Sequence, residues 1–181
     1  MTTYISLIRA VNVGGKTVRM ADLKAAYEEM GFTNVCTYLQ SGNILFDSPQ
    51  PDPGSLAGAI EGQMVHKINV SASVLLRTAP DLKRTIDANP FLHGRLEDIS
   101  RLHVTFLKTA PTQARLSALK KPEGEADEFM VSGQEIFLFC PNGYGRTKLN
   151  NTFFERKLDV IATTRNWNTV TALYAMAMEG Q

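Results

Sequence analysis

The chain has 181 residues, of which 44% are hydrophobic, enough to build one compact domain or two small ones. Lys and Arg number 19 against 18 Asp and Glu, so the formal net charge is +1. This balance excludes a strong overall attraction for nucleic acid or for an anionic membrane, and any basic site has to be local. Cys36 and Cys140 lie in apolar runs without a CxxC pair, which is typical of buried thiols in a reducing cytoplasmic setting.

The N-terminal residues read MTTYISLIRAVN, and Arg9 interrupts an apolar run that is much too short to span a bilayer. A cleavage site of small residues after a long apolar region is missing as well. We therefore expect no signal peptide, no membrane span and a cytoplasmic location.

The first half of the chain predicts the order β-α-β-β-α-β. The predicted elements are a strand at 4–9, a helix from Met20 to Gly31, strands at 35–40 and 44–46, a helix capped by Ser55, and a strand at 70–76. This order is the signature of a split-βαβ unit, in which two helices pack on one face of an antiparallel sheet.

The second half approximates the same order with one more helix. The predicted elements are a helix at 79–90, a strand at 102–107, a helix at 112–120, strands at 128–131 and 136–140, a helix at 149–158, a strand at 160–163 and a helix at 167–177. The sequence thus predicts an α+β protein with two tandem ferredoxin-like (split βαβ, α-β plait) subdomains with antiparallel sheets. The predicted boundaries are 1–78 for the first plait, 79–100 for a connecting helix and linker, and 101–181 for the second plait with its appended C-terminal helix.

The segment AVNVGGKT, residues 10–17, matches a relaxed P-loop pattern between a strand and a helix. Three facts oppose a true nucleoside-triphosphatase loop. The first position is Ala10, Val18 and Arg19 separate the segment from the helical periodicity, and a three-residue turn joins the next two strands, whereas a P-loop fold needs parallel strands. Two other interpretations of residues 10–17 are a Gly-rich loop that shapes a ligand site and a loop that merely turns the chain. We favour a ligand site because Arg9, Asn12 and Lys16 cluster there.

Gln40, Ser41 and Asn43 place three hydrogen-bonding side chains around Gly42, in residue types that dominate ordinary turns. In a split-βαβ sheet the first and third strands are neighbours. The loop after Arg9 and the loop before the third strand are therefore expected at one edge of the sheet.

The run TTRNWNT at 163–169 precedes the last predicted helix, and helix capping together with core packing of Trp167 explains much of it. These two roles do not explain Arg165, since a cation in the first turn of a helix opposes the helix dipole. It is expected to pair with a carboxylate such as Glu155 or to face an anionic ligand. Arg146 and Lys148, beside two glycines, favour an anion.

Other candidates are weaker. The three histidines have no metal-ligand spacing with one another or with the cysteines, so we expect no metal site. Phe137 and Phe139 alternate on a predicted strand, as in proteins that stack single-stranded bases on a sheet, but the RNA-recognition consensus is missing and core packing is the simpler explanation.

Four segments, RAVNVGGK, TYLQSGNILF, GRTKLNNTFFERKL and ATTRNWNTV, make the chain resemble a small bacterial family, the domain of unknown function 1697. The family's hallmarks are an Arg-Gly-Ile-Asn-Val-Gly-Gly-Lys loop, a Thr-Tyr-x-Gln-Ser-Gly-Asn hairpin and a Thr-x-Arg-Asn-Trp-Asn-Thr run. Here Ala10 replaces the usual Gly, and Thr17 often has Asn as its counterpart. The resemblance implies two α-β plaits in tandem, and it implies no established activity, cofactor or partner.

The leading hypothesis from the sequence is a binding protein or enzyme with an anion site for a phosphorylated small molecule such as a nucleotide. The candidate ligand-binding residues are Arg9, Asn12, Gly14, Gly15, Lys16, Gln40, Ser41, Asn43, Arg146, Lys148, Arg165 and Asn168. One alternative is a binder of single-stranded nucleic acid through the plait sheet faces, which the net charge does not favour. Another is a non-enzymatic protein whose polar motifs tie the two subdomains together. The sequence assigns no catalytic residue and no cofactor.

Overall fold

A computed structural model describes residues 1–9, 18–93 and 98–179 of the chain. The helices and strands are β1 (Thr2–Ile8), α1 (Met20–Glu29), β2 (Thr33–Tyr38), β3 (Asn43–Ser48), α2 (Pro53–Ile68), β4 (Val74–Thr78), α3 (Ala79–Asp87), β5 (Leu102–Leu107), α4 (Gln113–Ala118), β6 (Glu128–Ser132), β7 (Glu135–Phe139), α5 (Asn151–Leu158), β8 (Ala162–Asn166) and α6 (Trp167–Glu179). The predicted α+β class is confirmed. Within the described ranges, the fold has two four-stranded antiparallel sheets and six α-helices.

The two sheets have the same internal order. The first reads β2-β3-β1-β4 and the second reads β6-β7-β5-β8, so the first strand of each half lies between the third and the fourth. By contacts within the chain, one compact unit comprises Met1–Lys83 with Leu173–Gln181, and the other comprises Arg84–Ala172.

The core of the first unit lies between its sheet and the helices α1 and α2. Ile8, Leu23, Phe46 and Ile60 are buried there, and the ring of Tyr27 meets the edge of Phe46 with 5.2 Å between centroids. The Tyr27 hydroxyl shares a 2.7 Å hydrogen bond with the Ser6 hydroxyl. Burial raises the pKa of Tyr27, so this buried group stays neutral.

The core of the second unit forms between its sheet and α5. Leu138, Cys140, Phe154 and Leu158 are all buried in this cluster. Phe153 and Phe154 meet edge to face with 5.2 Å between centroids, an arrangement that aromatic rings favour. The spacing of the apolar residues in α5 thus accounts for both its helical form and its docking.

The opposite face of each sheet is buried as well. In the first sheet Ile5, Leu7 and Leu75 belong to the buried core, and in the second sheet Val104 and Phe137 do. These residues alternate along their strands with those facing the helices. Burial on both faces explains why the central strands read as continuous apolar runs rather than as alternating patterns.

Two boundary predictions in the first unit were wrong. Asp52, not Ser55, is the N-cap of α2, because its carboxylate accepts the backbone N–H groups of Gly54 and Ser55 and Pro53 occupies the first helical turn. The last strand begins at Val74 rather than at residue 70, since α2 runs to Ile68 and ends in the left-handed Asn69.

One boundary prediction in the second unit was also wrong, with consequences for the site. The strand predicted at 160–163 runs from Ala162 to Asn166, and α6 starts directly after it at Trp167. Arg165 therefore lies in an extended strand, two residues before α6, and not in the first turn of a helix.

The two cysteines differ, and both are free thiols. Cys140 is buried, as predicted. The prediction for Cys36 was wrong, because β2 is an edge strand and Cys36 points to solvent next to the buried Val35. The pairing register of this edge strand shifts between Thr33 and Cys36, and such irregularities protect edges from pairing with other chains.

Within the described residues, no helix has the length and apolar character needed to cross a membrane.

Candidate functional site

The end of β1 and the β2–β3 hairpin meet at one edge of the first sheet, as the strand order predicts. Leu7 lies opposite Asn43 in the antiparallel register, and the Ile8 N–H donates to the Gly42 carbonyl oxygen at 2.9 Å. The Arg9 N–H donates to the Ser73 carbonyl oxygen at 2.8 Å, so the chain just before β4 joins the same edge. Arg9 is half-buried at this junction.

The hairpin holds its shape through Asn43, which is 0% exposed. The side-chain amide of Asn43 donates to the Tyr38 carbonyl oxygen at 3.0 Å and to the Ser41 hydroxyl at 2.9 Å. Gly42 supplies a φ of 72°, the left-handed conformation that suits glycine. Gln40 and Ser41 are exposed. Asn43 is therefore the buried member of the predicted trio, and Gln40 and Ser41 are its exposed members.

Four of the predicted site residues, Asn12, Gly14, Gly15 and Lys16, lie outside the described residues. The chain leads into them directly from Arg9. The strand that precedes them, β1, pairs antiparallel with both β3 and β4. A P-loop fold would instead put this strand beside parallel neighbours, so the match of residues 10–17 to that pattern gains no support from the sheet.

Arg146 and Lys148 are exposed in the connection between β7 and α5. The Lys148 backbone N–H donates to Glu125 Oε2 at 2.9 Å, and Lys148 Nζ lies 3.5 Å from the Glu123 carbonyl oxygen. The backbone hydrogen bond from Lys148 lowers the pKa of Glu125, so this carboxylate stays ionised beside the lysine. Lys148 thus contacts an acidic segment of its own unit.

Arg165 is buried, with 7% of its surface exposed. Its Nη1 donates to the Thr163 hydroxyl at 2.8 Å and to the Thr164 carbonyl oxygen at 2.9 Å. Glu155, the carboxylate expected beside it, accepts the Ala162 backbone N–H at 3.1 Å. These bonds are all between residues of the second unit.

The pleat of β8 separates Arg165 from the α5 face of the sheet. The Thr164 hydroxyl bonds to the Thr105 hydroxyl and to Asn151 Oδ1 of α5, each at 2.7 Å, so Thr164 points towards that helix. Successive side chains of a strand point to opposite faces, and Arg165 therefore points away from α5.

Asn168 is exposed in the first turn of α6. The residue that caps this helix is Asn166, whose Oδ1 accepts the Thr169 backbone N–H at 2.8 Å. Helix capping, which together with core packing of Trp167 was expected to explain much of the run at 163–169, is thus the role of Asn166.

Sequence reasoning missed a polar cluster in the second unit, formed by the buried His103, Asp127 and Cys140 and the half-buried Tyr144 and Thr147. The imidazole of His103 stacks on the ring of Tyr144 with 4.8 Å between centroids, and burial lowers its pKa. Burial and the neighbouring Asp127 raise the pKa of Cys140 to about 12. A thiol in that state is protonated and a poor nucleophile. These residues come from separate segments of the sequence, so no local pattern indicated that they would meet.

Among the described residues, no group of three His, Cys, Asp or Glu side chains is arranged to hold a metal ion.

The family model described as "Protein of unknown function (DUF1697)" matches residues 1–137 of the chain. The chain is also similar in structure to the conserved bacterial protein SP0830 from Streptococcus pneumoniae, with a TM-score of 0.72 and 24% identity. That similarity covers 98% of this chain and 99% of that chain, and at this identity it establishes the fold alone. The comparison with curated proteins gives no match.

Proposed function

We propose that this chain, which belongs to the DUF1697 family of proteins of unknown function, binds a small phosphate-bearing molecule at the edge of the first sheet where β1 ends. The observation that carries the proposal is the meeting of the β1 end with the hairpin, through the 2.9 Å bond between the Ile8 N–H and the Gly42 carbonyl. This bond brings the hairpin residues Gln40 and Ser41 to the end of β1, where Arg9 follows the strand.

The chemistry of this edge suits a phosphate. A guanidinium offers a rigid fork of N–H donors that matches phosphate oxygens, and amide and hydroxyl groups add further donors. Arg9 supplies the first, and the exposed side chains of Gln40 and Ser41 supply the others. The ordered hairpin behind them reduces the entropy lost on binding.

The Gly-rich segment after Arg9 belongs to the proposed site by sequence. Gly14 and Gly15 offer backbone N–H groups without side chains that would keep an anion away. Lys16 is seven residues from Arg9 along the chain, so it lies within about 25 Å even if the segment is fully extended. Asn12 and Lys16 are the further side chains that we assign to the ligand.

Arg146, Lys148, Arg165 and Asn168 are not part of the site that we propose. Arg165 is buried and bonded to two threonines of its own strand, and Lys148 contacts an acidic segment. Arg146 and Asn168 are exposed residues of the second unit, whereas the proposed site lies in the first.

Each half of the chain is, in our proposal, a ferredoxin-like plait. The strand order β2-β3-β1-β4 and its repeat β6-β7-β5-β8 support this, as do the helices after the first and third strands. We propose residues 1–78 and 101–181 as the two plait domains with 79–100 between them, and a cytoplasmic location in keeping with the two free thiols.

A thermal-shift experiment tests the anion site. Nucleotides, sugar phosphates and inorganic pyrophosphate are added to the wild type and to the Arg9→Ala and Lys16→Ala variants. A ligand of the folded state stabilises it by about 2.7 kcal/mol at a concentration of about 100 Kd, which raises the melting temperature. We expect this rise in the wild type and its loss in both variants.

The matched control is Arg156→Ala, which removes an equally charged, exposed side chain from α5. It should keep the ligand-induced rise in melting temperature. An Arg146→Ala variant that loses the rise while Arg9→Ala keeps it would move the site to the second unit. The absence of a shift with every phosphate-bearing compound would disprove the proposal.

A further inference from the structure

Leu39, at the tip of the β2–β3 hairpin, has a backbone conformation that its residue type disfavours. Its φ is 58°, in the left-handed region. Elsewhere in the described residues, the non-glycine residues with positive φ are Asn34, Asn69 and Asp159. Asn and Asp tolerate this region because their short polar side chains bond locally, whereas a leucine there is strained.

Packing does not explain the choice of leucine. The side chain of Leu39 is 55% exposed, so it contributes little to the core. An asparagine or glycine would relieve the strain with little loss of buried surface. A strained backbone persists where the surroundings hold it in place, and such positions concentrate at binding sites.

The surroundings of Leu39 do hold it in place. On one side the Asn43 amide bonds to the carbonyl oxygen of Tyr38, and on the other the Gly42 carbonyl accepts the Ile8 N–H. The hairpin tip is thus tied to the central strand of the sheet. It presents an apolar side chain, followed by the polar Gln40, in one fixed arrangement.

The hairpin tip lies at the same sheet edge as Arg9. Tyr38 pairs with Asn43, and Asn43 pairs with Leu7, so these three residues form one row across β2, β3 and β1. Two strand spacings correspond to about 10 Å. Leu39 directly follows Tyr38, and Arg9 lies two residues after Leu7. A ligand with a phosphate at one end and an apolar ring at the other can contact both.

We propose that Leu39 is the contact for the base of a nucleotide whose phosphates bind at Arg9. This assignment rests on the proposed anion site and specifies its ligand class. The methyl groups of Leu39 pack against the flat face of the base, which is apolar, and the exposed amide of Gln40 offers a donor and an acceptor for the base edge. A plain phosphate or sugar phosphate has no apolar surface for Leu39 to contact.

The test separates phosphate from base. ATP, GTP, CTP and UTP are titrated separately, with inorganic pyrophosphate as the probe that lacks a base, into the wild type and the Leu39→Asn variant. Asparagine accepts a left-handed backbone, so the variant should melt at the wild-type temperature or above. We expect its affinity for the best nucleotide to fall at least about tenfold, as the loss of one buried apolar contact would cause. Its affinity for pyrophosphate should not change.

Val65→Asn is the matched control, because it removes another exposed apolar side chain of the first unit, on α2. It should bind nucleotides as the wild type does. A Leu39→Asn variant that melts lower, or that loses nucleotide and pyrophosphate equally, would show that Leu39 only supports the hairpin. Arg9-dependent binding of nucleotides that is unchanged in Leu39→Asn would overturn this inference alone. Failure of the wild type to bind any of the five probes would overturn the anion site together with it.

Discussion

At the scale of single residues, the same polar types serve structure in one place and face solvent in another. Asn43 is completely buried and closes a hairpin, whereas Asn168 is exposed on the first turn of α6. Both lie in polar runs that indicate a site in the sequence. Burial, which the surrounding strands decide, separates the two roles.

Asn43→Ala should lower the free energy of unfolding by about 1–3 kcal/mol, because the fully buried amide and its two hydrogen bonds to Tyr38 and Ser41 are lost. Urea denaturation measures this loss. Asn168→Ala, the exposed counterpart, should change stability by less than about 0.5 kcal/mol. Equal effects of the two substitutions would contradict the structural role of Asn43.

His103 should make stability depend on pH. Burial lowers its pKa below the ordinary value of 6.5, and this outweighs the hydrogen bond to the Arg101 carbonyl oxygen and the charge of Asp127. The unfolded state then binds a proton more readily than the folded state. The stabilisation is complete above pH 6.5 and is lost as the pH falls below this value towards the folded pKa.

The experiment compares unfolding free energies of the wild type and of His103→Phe between pH 7.5 and 5. Phenylalanine keeps the ring that stacks on Tyr144. The wild type should lose up to about 1.4 kcal/mol per pH unit more than the variant over the titrating range. Parallel pH curves for the two proteins would show that His103 does not titrate in this window.

At the scale of elements, the start of α5 shows how helix capping selects between neighbouring residues. Asn150 and Asn151 are both suitable caps by residue type. Asn150 Oδ1 accepts the Phe153 N–H at 3.0 Å and is the cap, whereas Asn151 Oδ1 accepts the Thr164 hydroxyl of β8. One asparagine thus begins the helix and the next fixes it to the sheet.

Asn150→Ala should cost about 1 kcal/mol of stability, and Asn150→Asp should retain most of it because a carboxylate also caps a helix. Chemical denaturation of the three proteins gives the comparison. If the aspartate variant is as unstable as the alanine variant, the contribution of Asn150 comes from something other than its cap.

At the scale of the whole molecule, burial on both faces of each sheet limits what the protein can bind. Phe137, which the sequence offered as a surface for base stacking, is 1% exposed, and Phe139 packs against Phe91 with 6.1 Å between centroids. Stacking of single-stranded bases requires accessible aromatic rings. The formal net charge of +1 offers no compensating electrostatic attraction.

We therefore expect no salt-sensitive binding of single-stranded DNA or RNA. Fluorescence anisotropy with labelled oligonucleotides at about 50 and 200 mM salt tests this, since binding through phosphate contacts weakens steeply over that range. Tight binding at low salt that disappears at high salt would restore the nucleic-acid alternative.

The sequence by itself determined the α+β class and the repeated order of helices and strands. Periodicity, glycine and turn chemistry are local, and they report the local conformation directly. It also placed Arg9 and the hairpin at one edge, because the strand order of a split-βαβ unit makes β1 and β3 neighbours. The domain boundaries and the ligand remain predictions.

Only the tertiary structure decided which polar residues are buried and which strand or helix holds them. Arg165, predicted at a helix start, lies in a strand, and Cys36, predicted to be buried, is exposed on an edge strand. His103 stacks on Tyr144, a contact that the sequence did not predict. Such outcomes depend on residues distant in sequence, whose contacts no local pattern reports. The sequence also did not predict the strained backbone of Leu39, because its φ depends on how the whole hairpin is held.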